Sequence, residues 1–201
     1  MVLPFDELNV LETKYNMPFL EGIDKETVAE DIYDLLIACF IYGTTNVNEQ
    51  LNEALELDAL RGEKIIFRKV GGKSWLDRLN DYFDDAFADE YGEYFVMISG
   101  QRTSLSDAVV RIAETETVRV FNETMLDLAT DVAKKGARVL KKWNTMEDER
   151  VRMTHAVLQG TEVEASDVFR TIDGDSAKAP GMFGDAGNNV NCRCWLTFRK
   201  V

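Results

Sequence analysis

From Lys25 the apolar residues Val28, Ile32, Leu35, Leu36 and Cys39 recur at spacings of 4, 3, 1 and 3, with Glu26, Glu30, Asp31 and Asp34 on the other side. That period predicts an amphipathic helix, with Asp24 as N-cap and Gly43 as its stop. A second helix follows Thr44-Thr45-Asn46 through Val47, Leu51, Ala54 and Leu55, ending before Gly62. Residues 63–70 are β-branched and aromatic between glycines, and read as a short strand or as an ordered crossing segment. Ser74 caps a third helix through Leu76, Leu79, Phe83 and Phe87 toward Ile98, broken at Ser99-Gly100. The aromatics Trp75, Tyr82, Phe83, Phe87, Tyr91, Tyr94 and Phe95 fit a packing core at that spacing better than a binding stripe. The longest helix starts at Ser104-Leu-Ser-Asp107, runs through Val109, Ile112, Phe121, Met125 and Val132, and closes at Lys134-Lys135-Gly136. About 30 residues at this rise make a rod of about 45 Å. Residues 1–24, with Pro4, Pro18 and Gly22, read as an irregular leader.

After Gly136 the period changes. Arg138 to Trp143 reads as a strand, Glu147 to Leu158 as a short helix, Val163 to Ile172 as an extended segment and 173–189 as a loop. Asn191 to Phe198 alternates, with Cys192, Cys194 and Leu196 on one face and Arg193, Trp195 and Thr197 on the other. The expected fold class is α+β: a mainly α-helical N-terminal region with a long helix (1–136), then a small mixed α+β C-terminal domain (137–201).

Composition narrows the classes. At 201 residues and 45% apolar the chain can bury a core. Its longest apolar run, Leu35 to Tyr42, is too short to cross a bilayer, and the first residues lack the basic and apolar regions of a signal peptide. The reading is a soluble protein made in a cytoplasm, without a membrane partner. Three cysteines, an odd number, do not make a secreted disulfide framework. The formal charge of −13 is uneven: residues 137–201 hold ten basic and nine acidic residues, leaving 13 basic and 27 acidic in the first 136. Such an acidic region disfavours general coating of nucleic acid and suits a basic protein surface, or serves solubility alone.

Several blocks then resemble one family. Arg111-Ile112-Ala113-Glu114-Thr115-Glu116-Thr117-Val118-Arg119-Val120-Phe121-Asn122 is similar to a helix of phage head morphogenesis proteins, the group of Mu protein F-like minor head proteins. Trp143, Asp148, Arg150, Arg152 and His155 resemble its next block, and Gly160, Phe169, Pro180-Gly181 and Asn191-Cys192-Arg193-Cys194 follow in order. The likeness covers 105–198 well, extends through Lys73 to Arg78 toward residue 60, and leaves 1–59 unmatched. Where many members read Ala-Arg-Thr-Glu this chain has Ala113-Glu114-Thr115-Glu116, which weakens any charge partner of that position. The resemblance implies a low-copy virion protein, assembled in the host cytoplasm and placed inside the capsid or near the portal. It implies the portal protein or the major capsid protein as partners.

The chemistry concentrates in the last quarter, with the lone histidine and two of the three cysteines. Cys192 and Cys194, two apart on a strand, point their sulfurs the same way, and a disulfide between them would be strained. With His155 they offer zinc three ligands, Asp148 or a water being the fourth; the other reading is two buried cysteines packed behind a satisfied histidine. Arg150, Arg152 and Arg193 with Asp148 read as an ion-pair lattice or as an anion site. The loop glycines 174, 181, 184 and 187 lack phosphate-loop spacing. A toxin-like nuclease or ADP-ribosyltransferase would cast Glu147, Glu149 and His155 as acid and base, yet a second histidine and an activated nucleophile are missing, so the expectation is a non-enzyme. A DNA-contacting ejection protein is the third class, given the near-neutral C-terminal part.

Overall fold

The computed structural model describes residues 5–15 and 24–201. Pro4, Pro18 and Gly22 of the expected leader lie outside the described residues. Within the leader, Phe5–Tyr15 forms a helix, α1, whose Leu8, Leu11 and Tyr15 are buried. The irregular reading is corrected there because these apolar positions share one helical face.

Helix α2, Lys25–Leu51, starts at the Asp24 cap, whose side chain accepts from the Thr27 amide, but does not stop at Gly43. Gly43 is instead a helix-packing position. A Cβ there would lie 3.0 Å from Thr124 Cβ and 3.1 Å from the Phe121 carbonyl on the long helix. The three polar residues that follow satisfy themselves locally. Thr44, Thr45 and Asn46 donate to the carbonyls of Phe40, Ile41 and Tyr42, so the helix continues to a left-handed cap at Asn52.

Residues 63–66 are helical rather than strand, and of 67–70 only Val70 makes a β-bridge, to Lys73. Helix α3, Ala59–Ile66, is capped by Asp58 and buries Gly62, Ile65 and Ile66. Helix α4, Trp75–Asp84, carries the Ser74–Asp77 capping box but ends at Asp84. The helix expected to reach Ile98 is replaced by a three-stranded antiparallel sheet: β1 Phe87–Ala88, β2 Tyr94–Ile98 and β3 Gln101–Ser104. The Asp89 carboxylate accepts the amides of Tyr91 and Glu93, and Gly92 takes φ +81°, which turns the chain back.

Helix α5, Leu105–Lys134, is the axis of the molecule, with Ser104 as N-cap and Gly136 at φ +103° beyond its end. It packs on α1, α2, α3 and α4 and touches both β regions. Beyond it come β4 (Val139–Asn144), the short α6 (Met153–Ala156), β5 (Glu162–Glu164), β6 (Phe169–Arg170), β7 (Ser176–Ala177), α7 (Ala186–Asn189) and β8 (Trp195–Lys200). Strand β4 is central, antiparallel to both β5 and β8, while β6 and β7 form a separate ladder. The helix expected over 147–158 is short because Glu147 takes φ +56° and a turn occupies the next residues. The ladder of the last strand starts at Trp195, not at Asn191, yet the alternation holds, with Cys192, Cys194, Leu196 and Phe198 all buried. The fold is α+β, and one hydrophobic core runs from Leu8 to Phe198.

Candidate functional site

The site lies where three segments meet: the strand end at Trp143, the turn that becomes α6, and the approach to β8. His155 on α6 and the two cysteines are 1%, 2% and 3% exposed. The imidazole Nδ1 lies 3.5 Å from Cys192 Sγ and 3.6 Å from Cys194 Sγ, and the three donor atoms are all within 4.8 Å of one another. Both thiols are free, as is Cys39. Trp143 meets the imidazole edge-on at 5.5 Å between ring centres, and Phe183 stacks on it at 5.2 Å. These rings keep water from the histidine, and its Nε2 is buried without a hydrogen-bond partner.

Two thiols so close share one easy ionisation. A hydrogen bond from the Cys194 thiol, helped by the His155 imidazole, holds the Cys192 thiol well below its ordinary range despite burial. The same contact, with burial and the Cys192 charge, pushes Cys194 up.

The Arg and Asp residues divide among different tasks. Arg193 grips Asp148 with Nη2 at 2.6 and 2.8 Å from the two carboxylate oxygens, and this hydrogen bond lowers the Asp148 pKa. The Asp148 carboxylate also accepts the Arg150 amide at 3.1 Å, closing the turn. Arg152 donates to the Val190 carbonyl and so ties α6 to the loop before Cys192. The Arg150 side chain lines a cavity of about 250 Å³ together with Glu12, Glu114, Met146, Cys192 and Arg193. Glu114 has its pKa raised by burial first and then by Glu12. Glu147 receives a hydrogen bond from Gln159 at 2.7 Å, while the imidazole of His155 faces the two sulfurs.

Three framing residues give the sequence pattern its physical sense. Asn122, fully buried on α5, donates to the carbonyls of Val118 and Cys194 at 2.9 and 3.1 Å and accepts the Leu196 amide at 2.9 Å. Arg119, 2% exposed, pairs with Glu116 at 2.7 Å and Glu123 at 2.8 Å and donates to the carbonyls of Ile65 and Ile66. Glu116 and Glu123 are joined from the outside by Arg78 and by Arg68. Lys141 is the third. Its ammonium, buried on β4, donates to the carbonyls of Ala165, Asp167 and Lys178 at 3.0, 2.6 and 2.8 Å, while burial, with nearby Lys178, pulls its pKa down to about 8. The sequence signal for each was a polar residue at a position where the local period calls for an apolar one.

A family model described as Phage Mu protein F like protein matches residues 84–197. The NAD(+)--arginine ADP-ribosyltransferase EFV of Enterococcus faecalis (strain ATCC 700802 / V583) is 38% identical over 138 residues, 62% of this chain and 28% of that protein. The Minor head protein GP7 of Bacillus phage SPP1 is 35% identical over 99 residues, 49% of this chain and 32% of that protein. The chain thus spans less than a third of the length of either relative. No solved structure matches it. The family match takes in the β1–β3 sheet, all of α5 and the His155–Cys192–Cys194 cluster, more than half of the chain: this protein belongs to the Phage Mu protein F like family.

Proposed function

We propose that this protein is a minor component of a bacteriophage head, present in few copies inside the capsid or near the portal. It would act through protein–protein contacts during head assembly, genome packaging or ejection. The observation that carries this reading is the family match over 84–197, together with a relative named as a minor head protein. Two features of the surface fit it. The face of the sheet β1–β3 that Phe87 and Met97 share leaves them 42% and 58% exposed, an apolar surface suited to another protein. The first 136 residues carry 27 acidic against 13 basic residues, which favours a basic partner surface and repels phosphate. Among the described residues no helix is long and apolar enough to cross a membrane.

The test is to mix the purified full chain with the portal protein and with the major capsid protein of the same phage, at low and at raised salt. The reading expects a complex with one of them that weakens with salt and with Phe87→Asp plus Met97→Asp. Binding to neither at low salt would overturn it.

A transferase reading has one observation in its favour, the 38% identity to the Enterococcus protein. The shared stretch is 28% of that protein, and here the lone histidine is enclosed by Trp143 and Phe183 and faces two sulfurs. A general base needs reach to a substrate proton, so this arrangement supports a structural role for His155. Transfer of radiolabel from NAD to an arginine acceptor by the full chain would favour the enzyme. A DNA-contacting role is read by a binding titration, where affinity falling steeply with salt would support phosphate contacts.

A further inference from the structure

Three buried donors from two distant segments converge on one point in the C-terminal part, and hydrophobic packing alone does not call for that set. Two cysteines and a histidine are soft and borderline ligands, which suit zinc and exclude the hard calcium and magnesium ions. The spacing agrees. A tetrahedral zinc with sulfur at about 2.3 Å and nitrogen at about 2.05 Å sets the nitrogen about 3.6 Å from each sulfur. The observed Nδ1 to Sγ distances are 3.5 and 3.6 Å. Charge agrees as well, because two thiolates and a neutral imidazole would neutralise a divalent cation among buried side chains, whereas two thiolates alone would repel each other.

We propose that His155 Nδ1 and the sulfurs of Cys192 and Cys194 bind one zinc ion, which fastens α6 and its preceding turn to the approach of β8. Binding deprotonates both thiols and releases those protons to solvent. The fourth position is filled by water entering from the 250 Å³ cavity that Cys192 helps to line, beside Arg150 and Glu114. The need for such a fastener is local. The segment from Ser166 to Asn191 has only two-residue strands and one turn of helix, and its polar ties to the rest include those to Arg152, Lys141 and Thr115. The proposal does not depend on which head protein is the partner.

The test uses the full chain made in zinc-replete cells and purified without chelator, with metals measured by plasma mass spectrometry. Stoichiometric zinc is expected, and it should be lost in His155→Ala and in Cys194→Ser. Because those variants can fail to fold, the wild-type protein is also exchanged with cobalt(II). Thiolate-to-cobalt charge-transfer absorption with tetrahedral visible bands is expected, and zinc should abolish it. Folded wild-type protein without zinc and without those bands would overturn the site. So would zinc retained by a folded Cys192→Ser/Cys194→Ser double variant, which would place the metal elsewhere, or iron or copper in place of zinc.

Discussion

The side chain of Asn122 holds the carbonyl of Cys194 at 3.1 Å and the amide of Leu196 at 2.9 Å, across 72 and 74 residues of chain. It fixes the last strand to the axial helix at the residue that faces His155. Family blocks that lie far apart in sequence thus form one contact. The helix supplies Asn122 and Arg119, the loop supplies Gly181 against Arg119, and Asn191 reaches Thr115.

Replacing Asn122 by Ala leaves a buried amide and a buried carbonyl without partners. Each unsatisfied group costs about 1–3 kcal/mol, so a loss of roughly 2–4 kcal/mol is expected in urea unfolding of the full chain. A change under about 1 kcal/mol would mean that water replaces the side chain.

Gly181 and Gly174 separate two costs of a side chain. Both have positive φ, +79° and +89°, but a Cβ at Gly181 would lie 2.9 Å from Arg119 Cα whereas one at Gly174 meets nothing within 4 Å. Gly174→Ala should cost about 1 kcal/mol, the backbone term alone. Gly181→Ala should cost at least about 2 kcal/mol more, since a helix backbone cannot step aside. Equal melting temperatures for the two variants would contradict the close approach.

Arg119 neutralises two carboxylates that are buried with it, at 2% and 4% side-chain exposure. Arg119→Met should destabilise by about 3–5 kcal/mol, because it takes one guanidinium partner from each buried carboxylate, leaving them to Arg78 and Arg68, and removes the donor to the Ile65 and Ile66 carbonyls. Arg119→Lys should restore little, since one ammonium cannot reach both carboxylates and the carbonyls of Ile65 and Ile66 together. Chemical denaturation of both variants checks the pair.

Lys141 sets a pH dependence. Its folded pKa of about 8 lies below the ordinary value of 10.5, so between these pH values the unfolded chain binds more protons than the folded one. Its contribution therefore rises as pH climbs from about 8 to 10.5, by up to about 3 kcal/mol, and is constant below pH 8. Measured as wild type against Lys141→Met, the stability difference should shift toward wild type across that window. A flat difference would show that the three carbonyls keep the ammonium charged.

Much of the architecture was legible in sequence. Helix α5 was marked by its apolar period, its Ser104 cap and the Lys134-Lys135-Gly136 end, all of which act locally. The failures came where tertiary contacts overrode local signals. Gly43 looked like a stop because its use, the contact with Thr124, is made to a residue 81 positions away. Phe87, Tyr91 and Tyr94 fell on a helical period by coincidence, while the deciding signal was the Asp89 to Gly92 turn. At the site, the shared direction of Cys192 and Cys194 followed from their spacing of two. His155 was grouped with them on ligand chemistry alone; the geometry that brings it beside both sulfurs comes from the turn closed by Asp148 and Arg193.

The most direct test of the account is quantitative mass spectrometry of purified virions of the phage that encodes this chain, beside emptied particles. A few copies per virion are expected, retained in both samples for a fixed part of the head or lost on emptying for an ejected one. Absence from virions and from assembling heads alike would contradict the assignment to the phage head.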